Sequence, residues 1–284
     1  MITKSVDNIT FIEWPTSKVL AFTTNRLSPS TLRLSGTKSP LSTNVRNTIL
    51  TDNIQNNTCP SLSMFDAFNL GDHVDDCPNT VTQNRKSLLE YLPVSTKIQW
   101  LTQVHGNNAV VVEQHHDMPL VADAAITRNK KIALAIMTAD CLPILVSNSD
   151  GSEIAAIHAG WRPLAANIIE RTLKLMHSPV NELYVWLGPC IGEHVFEVGA
   201  EVKQAFCQNS IKYKQAFKPV SSEKGDKKKY LANLHMMAQL QLLDLGVKNI
   251  SSLDECTFSL NKKYYSYRRD GLTGRMASII SSNS

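Results

Sequence analysis

Three apolar runs stand within 27 residues of one another: Ile132–Ala139, Leu142–Ser147 and Ile154–His158. None alternates apolar with polar residues. A strand facing water on one side must alternate, so runs like these belong to strands covered on both faces. The fold must therefore supply a layer on each side of the sheet that carries them. Ile98–Gln103, Ala109–Glu113 and Leu183–Leu187 read as further strands, as do Val19–Thr23, Tyr264–Tyr267 and Met276–Ile280. Helical spacing appears at Leu164, Ile168, Ile169, Leu173 and Met176. Asn79 can cap a helix presenting Val81, Leu88, Leu89 and Leu92 on one side. Glu201–Phe206 and Leu231–Leu245 read as two more helices, with Gly246 placed to stop the second. Strands and helices mix without a regular β-α alternation, which predicts an α+β layered fold and not a doubly wound sheet.

At 284 residues the chain can bury a sizeable core without a covalent staple, and no break after residue 64 invites a second domain. We read residues 1–284 as a single catalytic domain. Ser28–Ser63 is dominated by Ser, Thr, Asn, Pro and Gly and has almost no aromatic anchor. Such a composition does not repay the entropy of ordering, which predicts a flexible or irregular surface insertion.

Charge and cysteine content exclude several classes. Net charge is +4, but residues 203–230 hold eight Lys against Glu223 and Asp226, so the excess sits in one stretch. The run Lys227–Lys229 reads as a solvated loop, and no broad basic face with interleaved aromatics is present, which disfavours nucleic acid. Six Cys are scattered without a C-x-x-C pair, and no apolar run approaches the ~20 residues a bilayer requires. The expectation is a cytoplasmic protein with free thiols and no membrane contact, a monomer or small homo-oligomer.

Reactive side chains cluster at strand ends. Gln103-Val-His105-Gly106 ends one run, Thr138-Ala-Asp140-Cys141-Leu-Pro143 joins two, and Ile157-His158-Ala-Gly160-Trp161-Arg162 ends another. Two imidazoles and one thiolate form a ligand set for zinc, with copper second, and three protein ligands leave a position open for water or substrate. Taken one at a time, His105 and His158 read better as hydrogen-bonded strand-end residues and Cys141 as a small buried hydrophobe; only as a set do they weigh evenly as a metal site. Separations of 36 and 17 positions match no general metal signature, so the residues by themselves leave both readings open.

These pieces occur in order with Phe68-Asn69-Leu-Gly71, Asn84-Arg85, Gly188-Pro-Cys-Ile191, Phe196-Glu-Val-Gly199, Tyr265-Ser-Tyr-Arg268-Arg269-Asp-Gly271 and Thr273-Gly-Arg-Met-Ala277. Together they resemble the YfiH family, also labelled the laccase-domain, multicopper polyphenol oxidase or purine nucleoside phosphorylase family. The resemblance covers roughly residues 14–27 and 65–280. It implies a four-layer α/β/β/α sandwich with mixed sheets, and one zinc held by His105, Cys141 and His158. It also implies phosphorolysis of adenosine, inosine and methylthioadenosine, with adenosine deamination alongside.

Phosphorolysis needs fixed cations or amides for phosphate and a proton donor or electrophile near the base. Arg85 and Arg268 are the candidates for phosphate and Asn69 for ribose or phosphate, while Arg269 reads equally as a fold-stabilising salt bridge. Asp140 can orient a ligand or accept a proton. Three features depart from the family pattern: the 28–63 insertion, Thr23-Thr-Asn25-Arg26 where a Thr-Thr-Arg-x-Gly-Gly run is usual, and Pro163 in place of Gly. The second displaces or removes an anion-binding Arg.

Other chemistries compete. A copper-dependent polyphenol oxidase, laccase-like, would need paired His clusters, and His115-His116 is the sole adjacent pair. A cysteine hydrolase would use Cys141 as nucleophile and His158 as base. A zinc-stabilised binding module would need a fourth ligand; Cys190 is the nearest by motif, and Gly-Pro-Cys-Ile is expected to be packing.

Overall fold

Strands buried on both faces form the centre of the molecule. A computed structural model describes residues 3–6, 8–27, 63–65, 67–220 and 228–283. Among them, two six-stranded sheets carry the architecture. One runs Thr3–Val6, Ile9–Ile12, Val19–Thr24, Met276–Ser282, Ile132–Thr138 and Lys97–Gln99. The other runs Asn249–Ser252, Tyr184–Leu187, Leu142–Ser147, Ile154–Ala159, Ala124–Thr127 and Ala109–Val111. Both mix parallel and antiparallel pairs.

Alternate side chains of each strand go to different layers. Leu134, Ile136, Leu145, Ile154, Ala156 and Ile280 meet between the two sheets. Ile144, Val146, Ala155 and Ile157 point the other way, against helix residues Leu164, Ile168 and Leu242. Ala133, Ala135 and Ile279 pack outward from the first sheet on Phe68, Leu88 and Leu92. Period two is present, but both faces are apolar, which is why it cannot be seen as polarity. The layers are α/β/β/α, as the resemblance implied.

Several elements differ from the sequence reading, each for a local reason. Ile98–Gln103 divides at Trp100 into Lys97–Gln99 in the first sheet and Leu101–Thr102 in a two-stranded ribbon. The single helix at 164–176 is two, Trp161–Ala165 and Ile168–Leu175, because Asn167 between them sits at φ 60°. Pro163 falls in the first turn, where its missing N–H costs nothing. Leu231–Leu245 begins as a strand, Lys229–Ala232; Asn233 then caps Leu234–Asp244 by accepting from Met236 N. Tyr264–Tyr267 is not a strand: Ser266 caps a short helix, Tyr267–Asp270. The first helix is Pro78–Ser87, starting at Cys77 instead of Asn79, and Leu89 is exposed. Lys229 belongs to a strand and pairs with Glu197.

The expectation of free thiols throughout is corrected. Cys77 is disulfide-bonded, whereas Cys141, Cys190, Cys207 and Cys256 are free. Spacing alone carries no information on pairing. The 28–63 insertion lies, apart from Ser63, outside the described residues. No helix among the described residues is long and apolar enough to cross a membrane.

Candidate metal centre

The chain crosses from one sheet to the other in three residues. Ile132–Thr138 lies in the first sheet and Leu142–Ser147 in the second, so Ala139, Asp140 and Cys141 make the crossing. So abrupt a link forces the backbone: Asp140 stands at φ 94°, a region non-glycine residues avoid. Its carboxylate holds the bend by accepting from Thr257 Oγ1 at 2.6 Å, Ser266 Oγ at 3.0 Å and Arg268 N at 2.7 Å. Cys141 is thereby fixed at the open end of the sandwich.

His158 approaches from the neighbouring strand, in register with Pro143. His105 comes from the loop after Leu101–Thr102 and is itself at φ 58°. One buried carboxylate organises both. Asp123, fully buried, accepts from His158 Nδ1 at 2.8 Å and His105 N at 2.9 Å through one oxygen, and from Gly106 N at 2.7 Å through the other. A carboxylate only accepts, so Nδ1 of His158 carries the proton and Nε2 is left as the free ligand atom.

The ligand atoms of His105, Cys141 and His158 lie within 4.8 Å of one another, with Cys141 Sγ 3.9 Å from His105 Nε2. Zn–S near 2.3 Å and Zn–N near 2.0–2.1 Å in a tetrahedron put S and N about 3.6 Å apart, so the Cys141–His105 pair fits to a few tenths of an ångström. Gly160 makes room: a Cβ there would lie 2.9 Å from Cys141 Sγ and 3.6 Å from His105 Cδ2. Its backbone, φ −64° and ψ 169°, suits any residue, so the requirement is for space and not conformation. No other group of three such ligands occurs among the described residues; His115 stands by Asp117, away from the triad.

Without a metal the electrostatics are those of a thiolate beside an imidazolium, and a bound metal would replace the Nε2 proton. Burial opposes ionisation of Cys141, but the charge on His158 and hydrogen bonds from His105 and His158 outweigh it and bring the thiol down to about 6. Burial likewise disfavours charge on His158, yet the thiolate and the hydrogen bond to Asp123 lift it to about 9. Asp123 stays below the usual carboxylate range: burial raises it, and the bonds from His158 and the backbone amides more than compensate.

The triad lines a cavity of about 750 Å³, within the 300–1,000 Å³ typical of small-ligand sites. Trp161, Phe196 and Tyr267 give it aromatic walls, and Arg162, Arg268 and Arg275 give it three cations. Arg162 stacks on Trp161 at 4.5 Å, and Arg268 lies over Phe196 at 5.3 Å.

Of the residues singled out from sequence, His105, Cys141, His158, Asp140 and Arg268 are brought together here. Asn69 and Arg85 are not. Asn69 is fully buried; its Oδ1 accepts from Gly71 N and Arg275 N, and its Nδ2 donates to Gly71 O and Asp76. It therefore fixes the backbone of Arg275. Arg85 pairs with Asp72 and stacks 4.2 Å from the Trp100 ring. Arg269 bonds Asp270 and the carbonyls of Thr257, Phe258 and Tyr264, a fold-stabilising role. Arg26, in the run that departs from the family pattern, lies over Tyr265. Cys190 is packed in the helix-side core. Sequence reasoning missed Asp123, Arg162 and Arg275. Asp123 left one trace, an acid inside the apolar stretch Leu120–Thr127, which demands a buried partner.

The family model described as multi-copper polyphenol oxidoreductase laccase matches residues 55–283. A protein of Escherichia coli (strain K12) named purine nucleoside phosphorylase YfiH is 41% identical over 220 residues, 78% of this chain and 88% of its own. A Haemophilus influenzae purine nucleoside phosphorylase is 40% identical over the same shares. Among solved structures, a Neisseria meningitidis protein of the DUF152 family superposes with a TM-score of 0.80 at 33% identity, covering 98% of this chain and 100% of that one. A Bacillus licheniformis YfiH structure gives 0.78 at 22% identity over 99% and 98%, a likeness of fold.

Proposed function

The chain belongs to the multi-copper polyphenol oxidoreductase laccase family, whose YfiH-named members include purine nucleoside phosphorylases, and from that premise we propose that it is a zinc-dependent purine nucleoside phosphorylase. Its substrates would be adenosine, inosine and methylthioadenosine, with adenosine deamination as a second activity. One observation carries the reading: three side chains that could hold a metal share a cavity with aromatic walls and three arginines.

Phosphorolysis breaks the bond from C1′ of the ribose to the purine nitrogen and forms one from C1′ to a phosphate oxygen. The sugar gains oxocarbenium character on the way. Arg162, Arg268 and Arg275 present guanidinium groups that can hold the phosphate dianion against that developing charge. Trp161, Phe196 and Tyr267 offer faces for the base. His105, Cys141 and His158 would hold the zinc, which when bound supplies Lewis-acid polarisation at the cavity wall. Asp123 keeps the His158 proton on Nδ1 and away from the ligand position. Asp140 acts through the loop it anchors, as a positioning residue for Cys141 and Arg268.

A second reading rests on the lowered Cys141 thiol beside a charged His158, which also suits a cysteine hydrolase. A sulfur bound tightly to zinc cannot serve as that nucleophile. The deciding experiment incubates purified protein of measured metal content with phosphate, a nucleoside panel and a model phenol, and identifies products by mass. Free purine and ribose 1-phosphate, dependent on stoichiometric zinc, are expected. Metal-free protein turning over thioester or ester substrates, or copper-dependent phenol oxidation without nucleoside cleavage, would overturn the proposal.

A further inference from the structure

Two cysteines that the proposed reaction does not use stand side by side behind the cavity wall, in the isolated parallel bridge Cys190–Cys256. Cys190 N donates to Glu255 O at 3.3 Å, and Thr257 N donates to Cys190 O at 3.0 Å. Residues paired in this way have Cα atoms about 5 Å apart and send their side chains to the same face. Disulfides close over Cα separations of about 4.4–6.8 Å. Both thiols are free.

Their surroundings divide the labour. Cys256 is the more accessible, and its sulfur accepts N–H from Gly192 at 3.1 Å and Ser259 at 3.4 Å. A Cβ at Gly192 would press on that sulfur at 3.1 Å, so glycine is needed for the contact. Cys190 is buried, which pushes its thiol well up, and its sulfur is 3.9 Å from His235 Nδ1. His235 Nε2 donates to Gly188 O at 2.9 Å, so in the neutral ring Nδ1 is the basic nitrogen. Burial holds His235 below the usual imidazole range, a bias that Asp254, 3.4 Å from that nitrogen, opposes.

The pair is wired to the centre. The residue after each cysteine is hydrogen-bonded to Asp140: Ile191 N donates to Asp140 O at 2.9 Å and Thr257 Oγ1 to Asp140 Oδ1 at 2.6 Å. Asp140 is the residue before Cys141, and Ile191 lines the cavity. A backbone change at either cysteine therefore reaches Asp140 through one hydrogen bond.

We propose that Cys190 and Cys256 form a reversible disulfide site, closed by a peroxide, and that closing it loosens the metal centre through Asp140. The Cys256 thiolate attacks one peroxide oxygen and the O–O bond breaks, giving a sulfenic acid and a hydroxide that is protonated to water. Cys190 passes its proton to His235 Nδ1 and attacks the Cys256 sulfur. The S–S bond forms, and the expelled hydroxide takes up that proton as a second water. Two thiols lose two electrons, and hydrogen peroxide gains them.

The test exposes the full-length, zinc-loaded protein to a small excess of hydrogen peroxide, blocks remaining thiols with iodoacetamide, and maps non-reduced peptides by mass. A Cys190–Cys256 linked peptide is expected, lost on treatment with dithiothreitol. Zinc affinity, measured against a chromophoric chelator, should fall about tenfold on oxidation and recover on reduction. Cys190→Ser and Cys256→Ser should bind zinc like the parent before oxidation and lose both the linked peptide and the tenfold response. Failure to form the link overturns the proposal, as does a link without change in zinc affinity. A response that survives in both Ser variants belongs to Cys141 and overturns it too. Zinc binding by the untreated protein reports separately on the metal centre, and nucleoside turnover is not needed for the readout.

Discussion

One strand, Ile154–Ala159, runs from a buried carboxylate at its start to another beside its end, and the two have different duties. Before it, Glu153 is 3% exposed, pairs with Arg128 and accepts N–H from His177 and Ser178 at 2.9–3.1 Å. Near its end, Asp123 is fully buried and accepts from His105 N, Gly106 N and His158 Nδ1. Both acids are held below the usual carboxylate range although burial pushes each one up. The difference is in the donors. Those of Glu153 are backbone amides and a guanidinium, which keep their protons, so that end is a fastening. At the other end one donor is an imidazole whose second nitrogen faces a cavity. A buried carboxylate is thus no sign of a site; a titratable donor between it and open space is.

The comparison can be broken first at the centre itself. Cys141→Ala should abolish zinc binding and nucleoside cleavage while urea unfolding stays close to that of the metal-free parent. Unchanged inosine phosphorolysis in that variant would rule the mechanism out. The two carboxylates then give opposite results. Glu153→Ala leaves two backbone amides unpaired and Arg128 with the Leu175 carbonyl but no carboxylate, and should cost about 3 kcal/mol of stability in urea. Its zinc affinity should remain that of the parent. Asp123→Asn preserves volume and much of the hydrogen bonding but frees the His158 tautomer, and should weaken zinc roughly 10–100-fold with a smaller loss of stability. If zinc affinity followed Glu153 and stability followed Asp123, the division of duties would be wrong.

How much of this could be read in the chain depends on what each residue's role requires. The three apolar runs called for strands covered on both faces, but the four-layer order came from the family resemblance, and the runs divide between two sheets. The triad was legible because its members sit where apolar runs end, at His105, Cys141 and His158. Asp123 was barely legible, since an acid's partner lies 35 residues away and only the register of two strands brings them together. Arg162 and Arg275 carry no local mark that separates a cavity arginine from a surface one. The converse error has the same source. Arg85 and Asn69 looked like phosphate and ribose ligands because they are polar residues in motifs, but folding commits them to Asp72, Gly71 and the Arg275 backbone. Helix breaks at Asn167 and Asn233 depend on one backbone angle or one cap, which periodicity averages away.

The finest distinction between the two ends is electrostatic, and the size of the effect decides how to look for it. In metal-free protein Cys141 ionises at about 6 where an ordinary thiol ionises near 9. At pH 7 its thiolate fraction is then roughly 90 times greater. A thiolate of lower pKa is also a weaker nucleophile, by a Brønsted slope of about 0.4–0.5, which takes back a factor of roughly 20 over three units. The net gain in alkylation rate is only about fourfold, so a single rate at pH 7 is a poor test. The pH profile is a good one: iodoacetamide labelling of Cys141 should rise through pH 6 and level off, while labelling of an unperturbed thiol keeps rising toward 9. Asp123→Asn weakens the hold on the His158 charge and should move the Cys141 midpoint upward. Glu153→Gln should leave it in place, because no titrating group joins that carboxylate to the cavity. A midpoint that moved equally in both variants would mean the sulfur responds to the strand as a whole and not to its own imidazole.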